Sequence, residues 1–198
     1  MTNKPKFLIL HGTDVSRDKA FSQFLAVNRY HESQDFPKSS LGYFGGYHAL
    51  IEPDGRTLRY RLDSDEGAHC NQIVDGVSMN LQSLAVCMTG DFDIELPTAP
   101  QIESLKDLVQ SWQKQYGIPN DRVHFHRDYN TEKTCPGYLL RQEWLNSLLN
   151  GPAALEKTES QAEKQAAISQ LQGRLDYLRT LLISLLQQLK EQLKGRLA

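Results

Sequence analysis

Two short apolar runs, Phe7-Leu-Ile-Leu10 and Ser83-Leu-Ala-Val-Cys-Met88, most constrain what this chain can fold into. Each lacks polar alternation and is closed by breakers, Lys4-Pro-Lys6 and Gly12-Thr-Asp14 around the first and Thr89-Gly-Asp91 after the second. Runs of this kind read as strands buried on both faces, so helices must cover the sheet above and below. Three segments can supply them. Pro97-Thr-Ala-Pro100 is a start signal, Ile102, Leu105, Val109, Trp112 and Tyr116 recur at intervals of three and four, and Gly117 stops the run. Arg17 to Glu32 places Phe21, Phe24, Leu25 and Tyr30 at roughly helical spacing, predicting a helix that packs them against the sheet. Tyr138 to Leu149 reads as a closing helix, ended by Asn150-Gly-Pro152.

Tyr47 to Ile51, the turn Glu52-Pro-Asp-Gly55 and Thr57 to Leu62 read as a β-hairpin. Alternation along its first strand puts Tyr47, Ala49 and Ile51 on one face and His48 and Leu50 on the other. The expected class is α/β, a central sheet flanked by helices.

At 198 residues with 39% apolar content, the chain is long enough for one well-buried domain and an appendage. A formal net charge of −2 supplies no general basic field, which argues against nucleic acid as a partner and makes any electrostatic recognition local. Cys70, Cys87 and Cys135 are too few and too scattered for a disulfide framework, a usage that suits a reducing compartment. Only four apolar residues precede His11, so neither a signal peptide nor a membrane span fits the amino-terminal stretch. Cytoplasmic synthesis is the expectation.

The chemistry concentrates in His124-Phe-His-Arg-Asp-Tyr-Asn-Thr-Glu-Lys-Thr-Cys-Pro-Gly137. A strand ending near His126, followed by a loop, can fold Cys135 back beside the imidazole, and cysteine with histidine can close on one metal ion if a third ligand comes from elsewhere. In an extended segment His124 projects from the same face as His126. His11 sits at the end of a central strand, where clefts open, although a lone histidine there is more often structural. Tyr47, after two glycines, and His69, in the polar loop Gly67-Ala-His69, each have an ordinary structural reading as well.

Taken together, His11 after an apolar strand, Gly46-Tyr47-His48, Gly67-Ala68-His69, the Ser83 to Gly90 strand and His126 with Lys133-Thr-Cys135-Pro-Gly137 resemble the zinc-dependent N-acetylmuramoyl-L-alanine amidases. That family includes short phage endolysins and the animal peptidoglycan-recognition proteins. The resemblance runs over about residues 5 to 149, and its ordered set is far more specific than any part. One departure is local: Gly12 follows His11 where many members carry a second histidine.

The resemblance implies a mixed central sheet and one Zn2+ ion held by His11, His126 and Cys135, with an open position for a water nucleophile. It implies that Lys133 faces the substrate as an oxyanion stabiliser and that Tyr47 lies near the zinc water, where a phenol can hydrogen-bond the nucleophile or pass a proton to the leaving amine. His69 and Asn80 are carried over as substrate-side candidates. His124, which alternation sends the same way as His126, is the competitor for the metal, with a substrate-side role or one supporting the ligands as the favoured reading. The implied activity is hydrolysis of the amide between N-acetylmuramic acid and L-alanine in peptidoglycan. Two alternatives stand beside a phage endolysin: a non-catalytic peptidoglycan-binding module, in which the cysteine ligand is typically replaced, and a cytoplasmic wall-recycling amidase. An endolysin without an export signal reaches the wall once a separate membrane-disrupting protein releases it.

Residues 1–150 are thus read as the catalytic domain, 151–165 as a polar linker or helix start, and 166–198 as an amphipathic, coiled-coil-like helix. Ile168, Leu171, Leu175, Leu178, Leu182, Leu185 and Leu189 keep a heptad rhythm, while Leu181, Ile183 and Leu186 widen its apolar face. Homo-oligomerisation through this helix is the first expectation. Contact with a membrane surface is the second, since charged residues after Leu171 are net basic; packing on the catalytic domain is the third. The run Leu181 to Leu186 is far shorter than the roughly 20 residues a membrane span requires.

Overall fold

The computed structural model describes residues 2–19 and 22–151, together with five isolated positions further on, Leu175, Arg179, Leu182, Leu186 and Lys190. The chain divides into two units, Met1–Gly151 and Pro152–Ala198. In the first, the strands are β1 (Phe7–Gly12), β2 (Ala49–Ile51), β3 (Thr57–Arg59), β4 (Ile73–Val74), β5 (Val77–Ser78), β6 (Ser83–Met88) and β7 (Val123–Phe125). Five of them form one sheet in the order β3-β2-β6-β1-β7, and β4 pairs with β5 in a separate ladder. Only β3 runs antiparallel to its neighbour, so the sheet is mixed. Every residue of β1 and β6 is buried, as expected of strands covered on both faces.

One face is sealed by α2 (Ala99–Tyr116) and α3 (Gln142–Asn150), whose Leu105, Val109, Trp112, Leu145 and Leu148 pack on Leu8, Leu10, Ala49, Ile51, Val86 and Met88. Removing side chains of this size from water is worth about 1.5–3 kcal/mol each, which makes this layer the main stabilising cluster. The other face is built from two smaller clusters. Phe7 and Ile9 meet Cys70 and Met79, while Leu50 and Cys87 meet Tyr60 and the Phe24 and Val27 side chains of α1 (Phe24–Ser33). His11 continues the Phe7–Ile9 alternation onto this second face, in register with Cys87 of β6.

The long helix α2 forms as its periodicity predicts. Thr98 and Gln101 close a reciprocal capping box, and Gly117 ends the helix with φ 66°. The first helix starts later than expected. Its amino terminus is set by the buried Glu52 of the hairpin turn, whose carboxylate accepts from the Gln23 N–H at 2.9 Å and the Phe24 N–H at 3.1 Å. The inward face consists of Phe24, Val27 and His31, so Leu25 and Tyr30 are 61% and 63% exposed rather than packed on the sheet. Phe21 lies outside the described residues. Strand β2 begins only at Ala49, so its alternation stops short of Tyr47, which packs with Leu50, Tyr60 and Cys87 rather than on the Ala49–Ile51 face. Helix α3 begins at Gln142 because residues 134–140 are tied down as a loop.

The five described positions of the second unit are helical and exposed, with Leu175, Leu182 and Leu186 each more than half accessible. The expected linker after Gly151 and the other heptad positions, Ile168, Leu171, Leu178, Leu185 and Leu189, lie outside the described residues. Among the described residues no helix is long and apolar enough to cross a membrane.

Candidate metal centre and active site

Parallel pairing brings the carboxyl ends of β1 and β7 side by side, which carries His11 and His126 to the same edge of the sheet. Their ring centroids are 4.5 Å apart. The loop after β7 then returns Cys135, whose Sγ lies 3.6 Å from His11 Nδ1. One ligand atom from each of His11, His126 and Cys135 falls within 4.8 Å of the others, a spacing able to hold a metal ion. Two imidazole nitrogens and a thiol suit zinc, and three protein ligands leave a tetrahedral ion one position for water or substrate.

The cysteine is delivered by several fixed contacts. Arg127 donates from its guanidinium to the carbonyls of Thr134, Gly137 and Leu140, and its N–H bonds the Cys135 carbonyl at 2.8 Å. From the other side, Asp93 accepts from the Thr134 hydroxyl at 2.7 Å and the Tyr138 N–H at 2.6 Å. The loop also presses on β1. A Cβ on Gly12 would stand 2.6 Å from the Pro136 carbonyl oxygen, so a histidine, or even an alanine, after His11 would displace the segment that carries Cys135.

Burial dominates the electrostatics of the three side chains. It holds the His11 imidazole well below its ordinary range, with His126 adding to the effect, and it lowers His126 to about 4 with help from Lys133. It raises the Cys135 thiol to about 11. At neutral pH the metal-free site therefore holds two neutral imidazoles ready to coordinate and a thiol that must lose its proton to a metal.

Tyr47 stands beside this trio, its ring centroid 4.8 Å from that of His11. Just before it, Gly46 lets the Ala68 loop pack against the chain, since a Cβ there would sit 2.2 Å from the Ala68 carbonyl oxygen. Burial pushes the Tyr47 phenol well above 10, with the neighbouring Cys87 and Cys135 thiols acting in the same direction, so the neutral, donating form prevails. Lys133 is exposed, two residues before Cys135.

Three substrate-side expectations fall in different surroundings. His69 is 8% exposed and turned inward, with Nδ1 3.2 Å from His11 Nε2 and Nε2 3.1 Å from the Ser83 hydroxyl. The Asn80 side-chain oxygen accepts the N–H groups of His69 and Cys70 at 2.9 and 3.0 Å, so it fixes that loop. His124 lies one layer below the metal trio, edge-on to Tyr129 and 3.8 Å from an Asp128 carboxylate oxygen. The remaining two histidines support backbone: His31 Nδ1 accepts the Gly46 N–H and His48 Nδ1 the Ala85 N–H, both at 3.0 Å. Ser83, Arg127 and Asp93 had no local sequence signal, because each acts on a partner distant in the chain or on backbone carbonyls.

A mixed, helix-flanked sheet with a candidate His-His-Cys metal centre at its strand ends defines the class of protein. Residues 1–138 match the N-acetylmuramoyl-L-alanine amidase family, and the chain belongs to it. A comparison with curated proteins gives no match.

Solved structures share the fold. The N-acetylmuramoyl-L-alanine amidase LysC from Clostridium intestinale URNW is 23% identical with a TM-score of 0.60, the match covering 75% of this chain and 87% of that one. The Ph2119 endolysin from the Thermus scotoductus MAT2119 bacteriophage Ph2119 is 23% identical with a TM-score of 0.56, covering 74% and 85%. Peptidoglycan recognition protein LE, solved with tracheal cytotoxin, a monomeric diaminopimelic acid-type peptidoglycan, is 22% identical with a TM-score of 0.58, covering 72% and 81%.

Proposed function

We propose that this protein hydrolyses the amide between the lactyl group of N-acetylmuramic acid and L-alanine in peptidoglycan, with His11, His126 and Cys135 holding one zinc ion. The observation that carries the reading is the convergence of those three ligand atoms within 4.8 Å of one another, in a chain of the amidase family. Zinc, when bound, supplies Lewis acidity, lowering the pKa of water towards about 7 and polarising an amide carbonyl.

The chain's own residues act around that chemistry. Lys133 presents an ammonium to the oxygen that gains charge as water adds to the carbonyl carbon. Tyr47, which stays protonated because it is buried, can pass its proton to the amine as the carbon–nitrogen bond breaks and recover one from the attacking water. The Cys135 loop, held by Arg127 and Asp93, keeps the thiol in place before any metal arrives.

A peptidoglycan-binding module without activity is the second reading, favoured by the likeness to a recognition protein solved with a peptidoglycan fragment. Retention of Cys135 supports the enzyme. Elemental analysis together with turnover of a soluble muropeptide separates them: an amidase holds one zinc ion per chain and loses both metal and turnover in Cys135→Ala. A protein that binds zinc and muropeptide but never cleaves it is the module.

In biological terms we read an endolysin, made in the cytoplasm and released onto the wall, over a wall-recycling enzyme. An endolysin opens intact sacculi, whereas a recycling enzyme acts only on soluble fragments. We read the C-terminal helix as a self-association element, supported by exposed Leu175, Leu182 and Leu186 at spacings of seven and four. Light-scattering mass of the full chain tests it, and a monomer that co-sediments with liposomes would transfer that role to a membrane surface.

A further inference from the structure

We infer that His69 is a positioning residue for the metal centre, the middle link of a hydrogen-bond chain that runs from the Met79 carbonyl through Ser83 and His69 to His11 and fixes which nitrogen His11 offers the metal. The inference rests on the reading of His11 as a ligand.

The direction of the chain follows from its far end. The Ser83 hydroxyl lies 2.6 Å from the Met79 carbonyl oxygen, which can only accept, so the hydroxyl proton is committed there. Ser83 Oγ must then accept from His69 Nε2, 3.1 Å away, which places the His69 proton on Nε2. His69 Nδ1 is left with its lone pair and accepts from His11 Nε2 at 3.2 Å. His11 therefore carries its proton on Nε2, and its bare nitrogen is Nδ1, the atom that faces Cys135 Sγ at 3.6 Å. One backbone carbonyl thus orients three side chains in turn and leaves the last of them, His11, presenting a lone pair to the metal.

The chain is built rather than incidental. Ser83 is fully buried and His11 and His69 nearly so, which leaves little water to compete for their polar atoms. The His69 backbone is tethered independently by the Asn80 side chain. A Cβ at Gly67 would come within 2.6 Å of the His69 ring, so the loop is shaped around this rotamer. Partners that orient a metal-binding imidazole in this way typically change metal affinity by 10–100-fold when removed.

Two measurements test the inference. Long-range 1H–15N correlation spectra of the metal-free protein read ring protonation directly, and protons on Nε2 of both His69 and His11 are expected. A His69 proton on Nδ1 would overturn the chain. The second is zinc affinity by chelator competition in His69→Asn and His69→Leu, which are close in size but differ in that asparagine keeps an acceptor at the Nδ1 position.

His69→Leu should bind zinc about 10–100-fold more weakly and His69→Asn should recover most of that loss. Ser83→Ala should lie between, with a mixed His69 tautomer. Leucine binding as tightly as wild type, or asparagine as weakly as leucine, would overturn the role. Wild-type protein that takes up no zinc at all would instead sink the metal site, and this role with it.

Discussion

At the scale of single residues, Lys133 contributes electrostatically and Gly12 meets a steric requirement. Lys133→Ala should lower kcat on the order of 10²–10³-fold while leaving zinc content and thermal stability near wild type, as read by steady-state kinetics and elemental analysis. Gly12→Ala should do the reverse of a surface change. The added methyl meets the Pro136 carbonyl oxygen at 2.6 Å, so a cost of about 1–3 kcal/mol in denaturant unfolding and weaker zinc binding are expected together. The spacing of His126 and Cys135 made them legible as a possible ligand pair, whereas His11 joined them only through the family resemblance, since a lone histidine at a strand end reads as structural. The inward turn of His69 was not, since it depends on Ser83, a buried hydroxyl on another element. Asn80 was opaque for the same reason: a side chain that accepts two backbone N–H groups looks like any loop asparagine until the loop is folded.

At the scale of elements, the loop of residues 134–140 is anchored at its end by Leu140, buried in the main core, and held along its length by polar contacts. Arg127 reaches three of its carbonyls. Arg127→Met should therefore speed amide hydrogen exchange in that loop selectively, weaken zinc binding, and leave exchange in α2 unchanged. Uniform acceleration across the domain would show that Arg127 supports the whole fold instead. Helix α2 was readable because its periodicity, proline start and glycine stop all agree. Helix α1 misled because its inward face includes His31, a polar residue that pays its desolvation by accepting the Gly46 N–H, while Leu25 and Tyr30 point outward. Apolar spacing alone cannot register a buried histidine with a backbone partner.

At the scale of the whole molecule, buried neutral histidines tie stability to pH. His48 is lowered to about 4, mainly by burial, with the Asp65 backbone contact opposing the shift. The unfolded chain would bind a proton there near 6.5, so between about 6.5 and 4 the unfolded state holds more protons and folding stability falls as pH drops. A shift of that size corresponds to about 3 kcal/mol for this histidine, and His31 and His126, each lowered to about 4, act in the same direction. Denaturant midpoints of the metal-free protein should decline through that window, with His48→Asn flattening part of the slope, and the decline should continue below it as His11 and His69, held lower still by burial, take up protons.

The bond that is cut distinguishes an amidase from every other wall hydrolase. Mass spectrometry of the products released from purified sacculi identifies it most directly. Free peptides beginning with L-alanine and glycan bearing an intact lactyl carboxylate are expected from the wild type, lost in Cys135→Ala and on chelation, and restored by added zinc. Products cleaved within the peptide or the glycan, or cleavage indifferent to both Cys135→Ala and chelation, would contradict it.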